Sequence, residues 1–202
     1  MVDENSGYDR KAKSPLGDLG VSNSSSHLRV QRLIFLVGYM GCGKSTKAKQ
    51  LAHRLQCPVI DLDAEIVNKS GKTIAEFFEE FGESGFRDYE SETLKTYDYP
   101  ENCVIATGGG LPCFFDNMDW MNAHGETVYL EMEPAQLVSR LQNRQKRPLI
   151  KDLDDEQLLE FIKVKLEERN PFYRKSKIVI NAFNLDAETL EHALNESKGF
   201  TN

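Results

Sequence analysis

The sequence predicts an α/β protein: a parallel sheet covered by helices on both faces. Three observations predict it. Short apolar runs alternate along the chain with segments of helical period. The first run passes straight into a glycine loop and then a helix. Polar clusters follow the first three runs, and in an open α/β sheet ligands bind at the carboxyl ends of the strands.

The first run, Leu33 to Val37, is almost wholly apolar, as suits a strand buried on both faces. Gly38-x-x-x-x-Gly43-Lys44-Ser45 follows, and Ala48, Leu51, Ala52 and Leu55 then recur at helical spacing. Strand, glycine loop and helix is the context of a phosphate-binding loop. Gly38, Gly41 and Gly43 let successive backbone N–H groups converge on a polyphosphate, and the helix N-terminus adds positive partial charge there. Lys44 is placed to reach the β- and γ-phosphates, and the Ser45 hydroxyl to ligate magnesium.

Pro58 to Asp63 reads as a second strand ending in two carboxylates, with Asp61 and Asp63 projecting to one face and Leu62 to the other. One carboxylate could hold magnesium through water and the other accept the proton of an acceptor hydroxyl; Asp63 could equally cap the next helix. That helix covers Ala64 to Asn68 and closes at Gly71. Thr73-Ile-Ala-Glu76 is a capping box ahead of Phe77, Phe78 and Phe81, with Gly82 as the stop, and a further helix runs from Gly85 to about Tyr97. Cys103 to Thr107 is the third strand, and Gly108 to Gly110 after it could be a flexible turn or could let a ligand approach backbone N–H groups.

A short helix from Asp116 to Asn122 precedes the fourth strand, Thr127 to Glu131. Pro134 opens a helix reaching about Leu141. Residues 143–155 have no apolar period and are long enough for a lid. The cations Arg140, Arg144, Lys146, Arg147 and Lys151 fall in or beside this stretch, with no acid between Ser139 and Lys151. They could close over phosphates or simply form a solvated face. A helix from Glu156 to Arg169 ends at Asn170-Pro171, Ile178 to Asn181 is the fifth strand, and Asp186 caps a last helix. Arg87, three residues before Glu90, and Arg169, at a helix C-terminus, read locally as structural cations.

The bulk numbers bound the function. The 202 residues make one domain with a real core, and a net charge of −7 argues against nucleic-acid and acidic-membrane partners. Four cysteines without CxxC spacing read as free thiols in a reducing cytoplasm. Residues 1–28 are polar, lack an apolar period and are expected to be a disordered arm, with residues 29–202 as the domain. The arm has no apolar segment for a signal peptide, and its early acids sit badly with a transit peptide.

Taken jointly, Gly38 to Thr46, Ile60-Asp-Leu-Asp63, Gly82 to Arg87, Thr107 to Gly110, Arg147-Pro-Leu-Ile150 and Arg169-Asn-Pro-Phe-Tyr173 resemble shikimate kinase over about Arg32 to Leu194. The resemblance implies an adenylate-kinase-like, P-loop NTPase-like fold with a five-stranded parallel sheet in order 2-3-1-4-5. It implies transfer of the ATP γ-phosphoryl group to the 3-hydroxyl of shikimate, a step of aromatic amino-acid biosynthesis. By the same resemblance ATP is bound by Gly41, Cys42, Gly43, Lys44, Ser45, Thr46, Arg140 and Arg147, and magnesium by Ser45 and Asp61. Asp63, Arg87, Gly108, Gly109, Gly110 and Arg169 would bind shikimate, with Asp63, Lys44 and Arg147 catalytic and Glu90 orienting Arg87. The expected state is a cytoplasmic monomer. Cys42 departs from the smaller residue common at its position and suggests sensitivity to thiol reagents. A gluconate kinase would share the phosphate loop but needs neither Asp-Leu-Asp with Gly-Phe-Arg nor the triple glycine. A regulatory relative without catalysis would be signalled by loss of Lys44, Asp63 or Arg147, and all three are present.

Overall fold

The computed structural model describes residues 32–142 and 150–199. Five parallel strands form one sheet: β1 (Arg32–Val37), β2 (Val59–Asp61), β3 (Asn102–Ala106), β4 (Gly125–Glu131) and β5 (Ile178–Asn181). Their order is β2-β3-β1-β4-β5, the order implied by the resemblance. In β1, every residue from Leu33 to Val37 is buried, as is every residue from Cys103 to Ala106 in β3. Alternate side chains point to opposite faces, so continuous burial means that both faces of the sheet are covered. The edge strands β2 and β5 lack this continuity.

Among the described residues seven α-helices lie between and after the strands: α1 (Lys44–Leu55), α2 (Leu62–Ser70), α3 (Ile74–Thr96), α4 (Asn117–His124), α5 (Pro134–Arg140), α6 (Asp155–Tyr173) and α7 (Ala187–Gly199). The Thr73–Glu76 capping box forms as expected, with Glu76 N donating to Thr73 Oγ1 at 3.2 Å and Thr73 N donating to Glu76 Oε2 at 2.7 Å. Asp186 likewise accepts from Thr189 N at 2.8 Å at the start of α7. Ile66, Phe77 and Phe86 form a small cluster of their own between α2 and α3, beside the main core.

Two local expectations are corrected. The second strand stops at Asp61, whose carboxylate accepts from Ala64 N at 3.4 Å as the cap of α2, so Asp63 lies in the first helical turn. The two carboxylates are therefore not paired across an extended strand, and the capping role falls to Asp61 rather than Asp63. Gly82, by contrast, breaks the helix as expected: its backbone is non-helical, with φ 69° and ψ −177°, and divides α3 into two helical stretches. Asn170-Pro171 does not end α6, which continues to Tyr173. Proline removes one helical hydrogen bond without barring continuation. Here the extra turn is anchored by fully buried Tyr173, whose hydroxyl donates to Gly109 O at 2.6 Å. Arg169 is accordingly not in the last turn of its helix. The arm at residues 1–28 and Arg144, Lys146 and Arg147 of the expected lid lie outside the described residues.

Candidate active site

The carboxyl ends of β1, β2 and β3 converge, and each delivers a different group. β1 leads into the glycine loop, where Gly41 and Gly43 take φ of +85° and +98°, left-handed values that disfavour side chains. Space is short as well: a methyl on Gly41 would lie 3.0 Å from the Leu141 side chain. The loop ends in the first turn of α1, which has neither a side-chain cap nor an acid. The N–H groups at Lys44, Ser45 and Thr46 are thus left for an anion. The buried Lys44 ammonium folds back over the loop, donating to Gly38 O at 2.7 Å and Tyr39 O at 3.1 Å. Arg140 Nη1 donates to Cys42 O at 3.3 Å, which sets this exposed arginine on the outer side of the loop. Cys42 itself is fully buried, so the expected sensitivity to thiol reagents finds no accessible thiol there.

β2 brings Asp61 to the start of α1, where Ser45 Oγ donates to Asp61 Oδ2 at 2.7 Å. A hydroxyl and a carboxylate beside a phosphate loop are hard oxygen donors that suit magnesium, which keeps several waters and takes few protein ligands. Among the described residues no cluster of three or more His, Cys, Asp or Glu side chains could hold a metal alone. The Ser45 hydroxyl and Asp61 carboxylate fit a magnesium ion that arrives with a phosphate substrate. Asp63, exposed at the start of α2, faces the same cleft.

β3 delivers the triple glycine, and the structure gives its two outer members a steric reason. A methyl on Gly108 would lie 2.8 Å from Asp63 Oδ1 and closer still to Glu90 Oε1. One on Gly110 would lie 2.5 Å from Arg87 Nη1, whereas one on Gly109 would meet only ordinary contacts, with Met40 N at 3.5 Å and Arg169 Nη1 at 3.7 Å. None of the three has a left-handed φ, so what Gly108 and Gly110 supply is room for charged groups against the backbone.

Arg87 and Glu90, spaced for an ion pair, do form one: Nη1 donates to Glu90 Oε2 at 2.8 Å, with both side chains buried. Nη2 donates to Glu83 Oε1 at 3.2 Å. Buried Arg87 Nε has no hydrogen-bond partner among the described residues. A buried donor left unmatched is costly, and a carboxylate ligand would satisfy it. Burial pushes the Glu90 carboxyl up to about 7 against the pull of Arg87, while the nearby Asp63 charge adds to the rise. Arg169 lies 5.5 Å from the Tyr39 ring and within reach of the Tyr173 hydroxyl. Beside these arginines, burial pushes the Cys113 thiol up to about 11, so it lines the cleft as a neutral group.

The structure thus brings together Lys44, Ser45, Thr46, Asp61, Asp63, Arg87, Glu90, Gly108 to Gly110, Arg140 and Arg169 around one cleft. Sequence reasoning missed Tyr39, Glu83, Phe114 and the anchoring role of Tyr173. Only Glu83 left a local signal, four residues before Arg87.

A phosphate loop at the first strand of a 2-3-1-4-5 parallel sheet, facing carboxylates and arginines, defines the class: a P-loop phosphotransferase for a small acidic acceptor. The family model described as shikimate kinase matches residues 40–197. The chain belongs to the shikimate kinase family and is a kinase. It is 46% identical over 154 residues to the shikimate kinase of Bacteroides thetaiotaomicron, covering 76% of this chain and 88% of that protein. The crystal structure of a shikimate kinase from the same organism superposes with a TM-score of 0.75 at 40% identity, over 84% of this chain and 99% of that one. The Acinetobacter baumannii shikimate kinase in complex with shikimate gives 0.74 at 31% identity, over 87% and 98%. A gluconokinase from Sinorhizobium meliloti, at 16% identity and a TM-score of 0.55, shares the fold alone.

Proposed function

We propose that this chain transfers the γ-phosphoryl group of ATP to the 3-hydroxyl of shikimate, and that the cleft residues divide the work as follows. Backbone N–H groups of residues 41–46 and the Lys44 ammonium cradle the phosphates, with Lys44 leaving its two loop carbonyls for β- and γ-oxygens. Arg140, whose Nη1 donates to Cys42 O of the loop, would lie against the nucleotide. A magnesium ion held by Ser45, and through water by Asp61, would neutralise charge on the phosphates when bound.

Arg87 and Arg169 bind the acceptor carboxylate, and Arg87 Nε is the donor still in need of a partner. Asp63, exposed beside Gly108, accepts the hydroxyl proton as the new P–O bond forms and the bond to the ADP oxygen breaks. Glu90 stays behind Arg87 and fixes it. Arg147, outside the described residues, completes the reading from the lid by neutralising the transferring phosphoryl group. The single observation that carries this reading is the convergence of the phosphate loop, Asp63 and the Arg87–Glu90 pair on the three glycines.

The reading extends to a cytoplasmic monomer acting without nucleic acid or membrane. The four free cysteines support the compartment, the acidic net charge argues against nucleic-acid and acidic-membrane partners, and no described helix is long and apolar enough to cross a membrane. The test is ADP release from magnesium-ATP with shikimate, with gluconate and with no acceptor. Release that depends on shikimate is expected. Release with gluconate alone would overturn the acceptor site, and nucleotide binding without turnover would favour a regulatory relative.

A further inference from the structure

From the contacts of α3 we infer that the turn at residues 111–117 is clamped so as to hold Phe114 over Arg87, which makes Phe114 a positioning residue for acceptor binding. The inference rests on the reading of Arg87 as the carboxylate anchor.

Arg87, Ser91 and Lys95 stand at i, i+4 and i+8, on one stripe of α3. Each engages a residue of the turn that follows the triple glycine. Lys95 Nζ donates to Asp116 Oδ1. Ser91 Oγ donates to Asn117 Oδ1 at 2.7 Å, between two buried side chains. The Arg87 guanidinium carbon lies 4.4 Å from the centroid of the Phe114 ring, nearer than the rings of Phe86 at 5.2 Å and Phe78 at 5.7 Å. Asn117 closes the turn on itself, its Nδ2 donating to Leu111 O at 3.0 Å.

Phe115 marks where the chain is forced. Its φ is +51°, an outlier for a bulky residue, and its ring is 61% exposed, so burial of its own ring does not compensate. Such a conformation persists only where surrounding contacts over-determine it, and here those contacts are the clamp on α3. The left-handed residue sits directly after Phe114, where the chain turns back toward α3.

The consequence lies in the plane of the guanidinium. With Nη1 on Glu90 and Nη2 on Glu83, only the remaining in-plane N–H groups, Nε–H among them, can meet a ligand carboxylate. The direction they point is set by the orientation of the plane. An aromatic face attracts the cation and fixes that orientation, whereas an aliphatic side chain of similar bulk fills the space without the attraction.

The experiment is steady-state kinetics on the full chain with Phe114→Leu and Phe114→Tyr, varying shikimate and ATP separately, with thermal unfolding alongside. Phe114→Leu should raise KM for shikimate about fivefold while kcat and KM for ATP stay within about twofold. Phe114→Tyr, which keeps the ring, should return KM to near the wild-type value. An unchanged KM for shikimate in the leucine variant would overturn the inference. So would equal impairment by leucine and tyrosine, or a joint loss of kcat and ATP affinity, since these report shape or general folding. Absence of shikimate turnover in the wild type would instead overturn the functional reading beneath it.

Discussion

Gly108→Ala tests the site where its geometry is tightest. The added methyl would lie 2.8 Å from Asp63 Oδ1 and closer to Glu90 Oε1, when contacts of this kind relax at about 3.5 Å. One or both carboxylates must then retreat by roughly 0.5 to 1 Å. Overpacking of that order costs about 1–3 kcal/mol of stability. The kinetic cost is greater in kind, because a misplacement of about 1 Å at a reacting group can cost about 100-fold. Displaced Asp63 should therefore lower kcat about 100-fold, with KM for ATP nearly unchanged. Gly71→Ala is the contrast: φ at Gly71 is +68° and its methyl would meet nothing within 4 Å. It should cost about 1–2 kcal/mol in stability through backbone strain and leave kcat alone. The assay is coupled ADP release with thermal unfolding of both variants. A folded Gly108→Ala protein with kcat within about twofold of wild type would refute the assignment of Gly108 as the spacer between Asp63 and Glu90.

Two further outcomes follow from the same cleft. Asp63→Asn should lower kcat by about 100-fold or more while nucleotide binding, measured by calorimetry, survives; near-normal kcat would remove Asp63 as the base. Glu90 gives a pH dependence whose sign is fixed by its shift. Its carboxyl rises from 4.5 to about 7 on folding, so between these values the folded state binds a proton that the unfolded state does not. The resulting stability is full below about pH 4.5 and is lost as pH rises through about 7, amounting to at most about 3 kcal/mol. Glu90→Gln should remove that slope from the curve of Tm against pH. Parallel curves for the two proteins would refute the shift.

The sequence by itself determined whatever depends on near neighbours. The apolar runs of β1 and β3, the phosphate loop and the Thr73–Glu76 box are written in contiguous residues or in spacings of three and four, and all appear. The Arg87–Glu90 pair was legible in the same way, and its joint pattern with the other motifs matched one family. Locally, though, that pair read as a structural helix contact, because nothing within four residues says that Gly110 and Phe114 lie against the same guanidinium. Three matters were left to tertiary structure. Asp61 and Asp63 divide between a helix cap and its first turn because β2 pairs with β3 only as far as Asp61 against Ala106, and α2 begins at Leu62. Helix α6 passes Pro171 because Tyr173 gains a buried anchor on Gly109, sixty-four residues away in sequence. The three glycines carry no left-handed angle that would announce them, and the need for smallness at Gly108 and Gly110 comes from Asp63, Glu90 and Arg87, which other elements deliver. Propensity, capping and periodicity are short-range and survive in one dimension. Room at a converging set of strand ends is a long-range property, fixed only once the sheet order has brought those ends together.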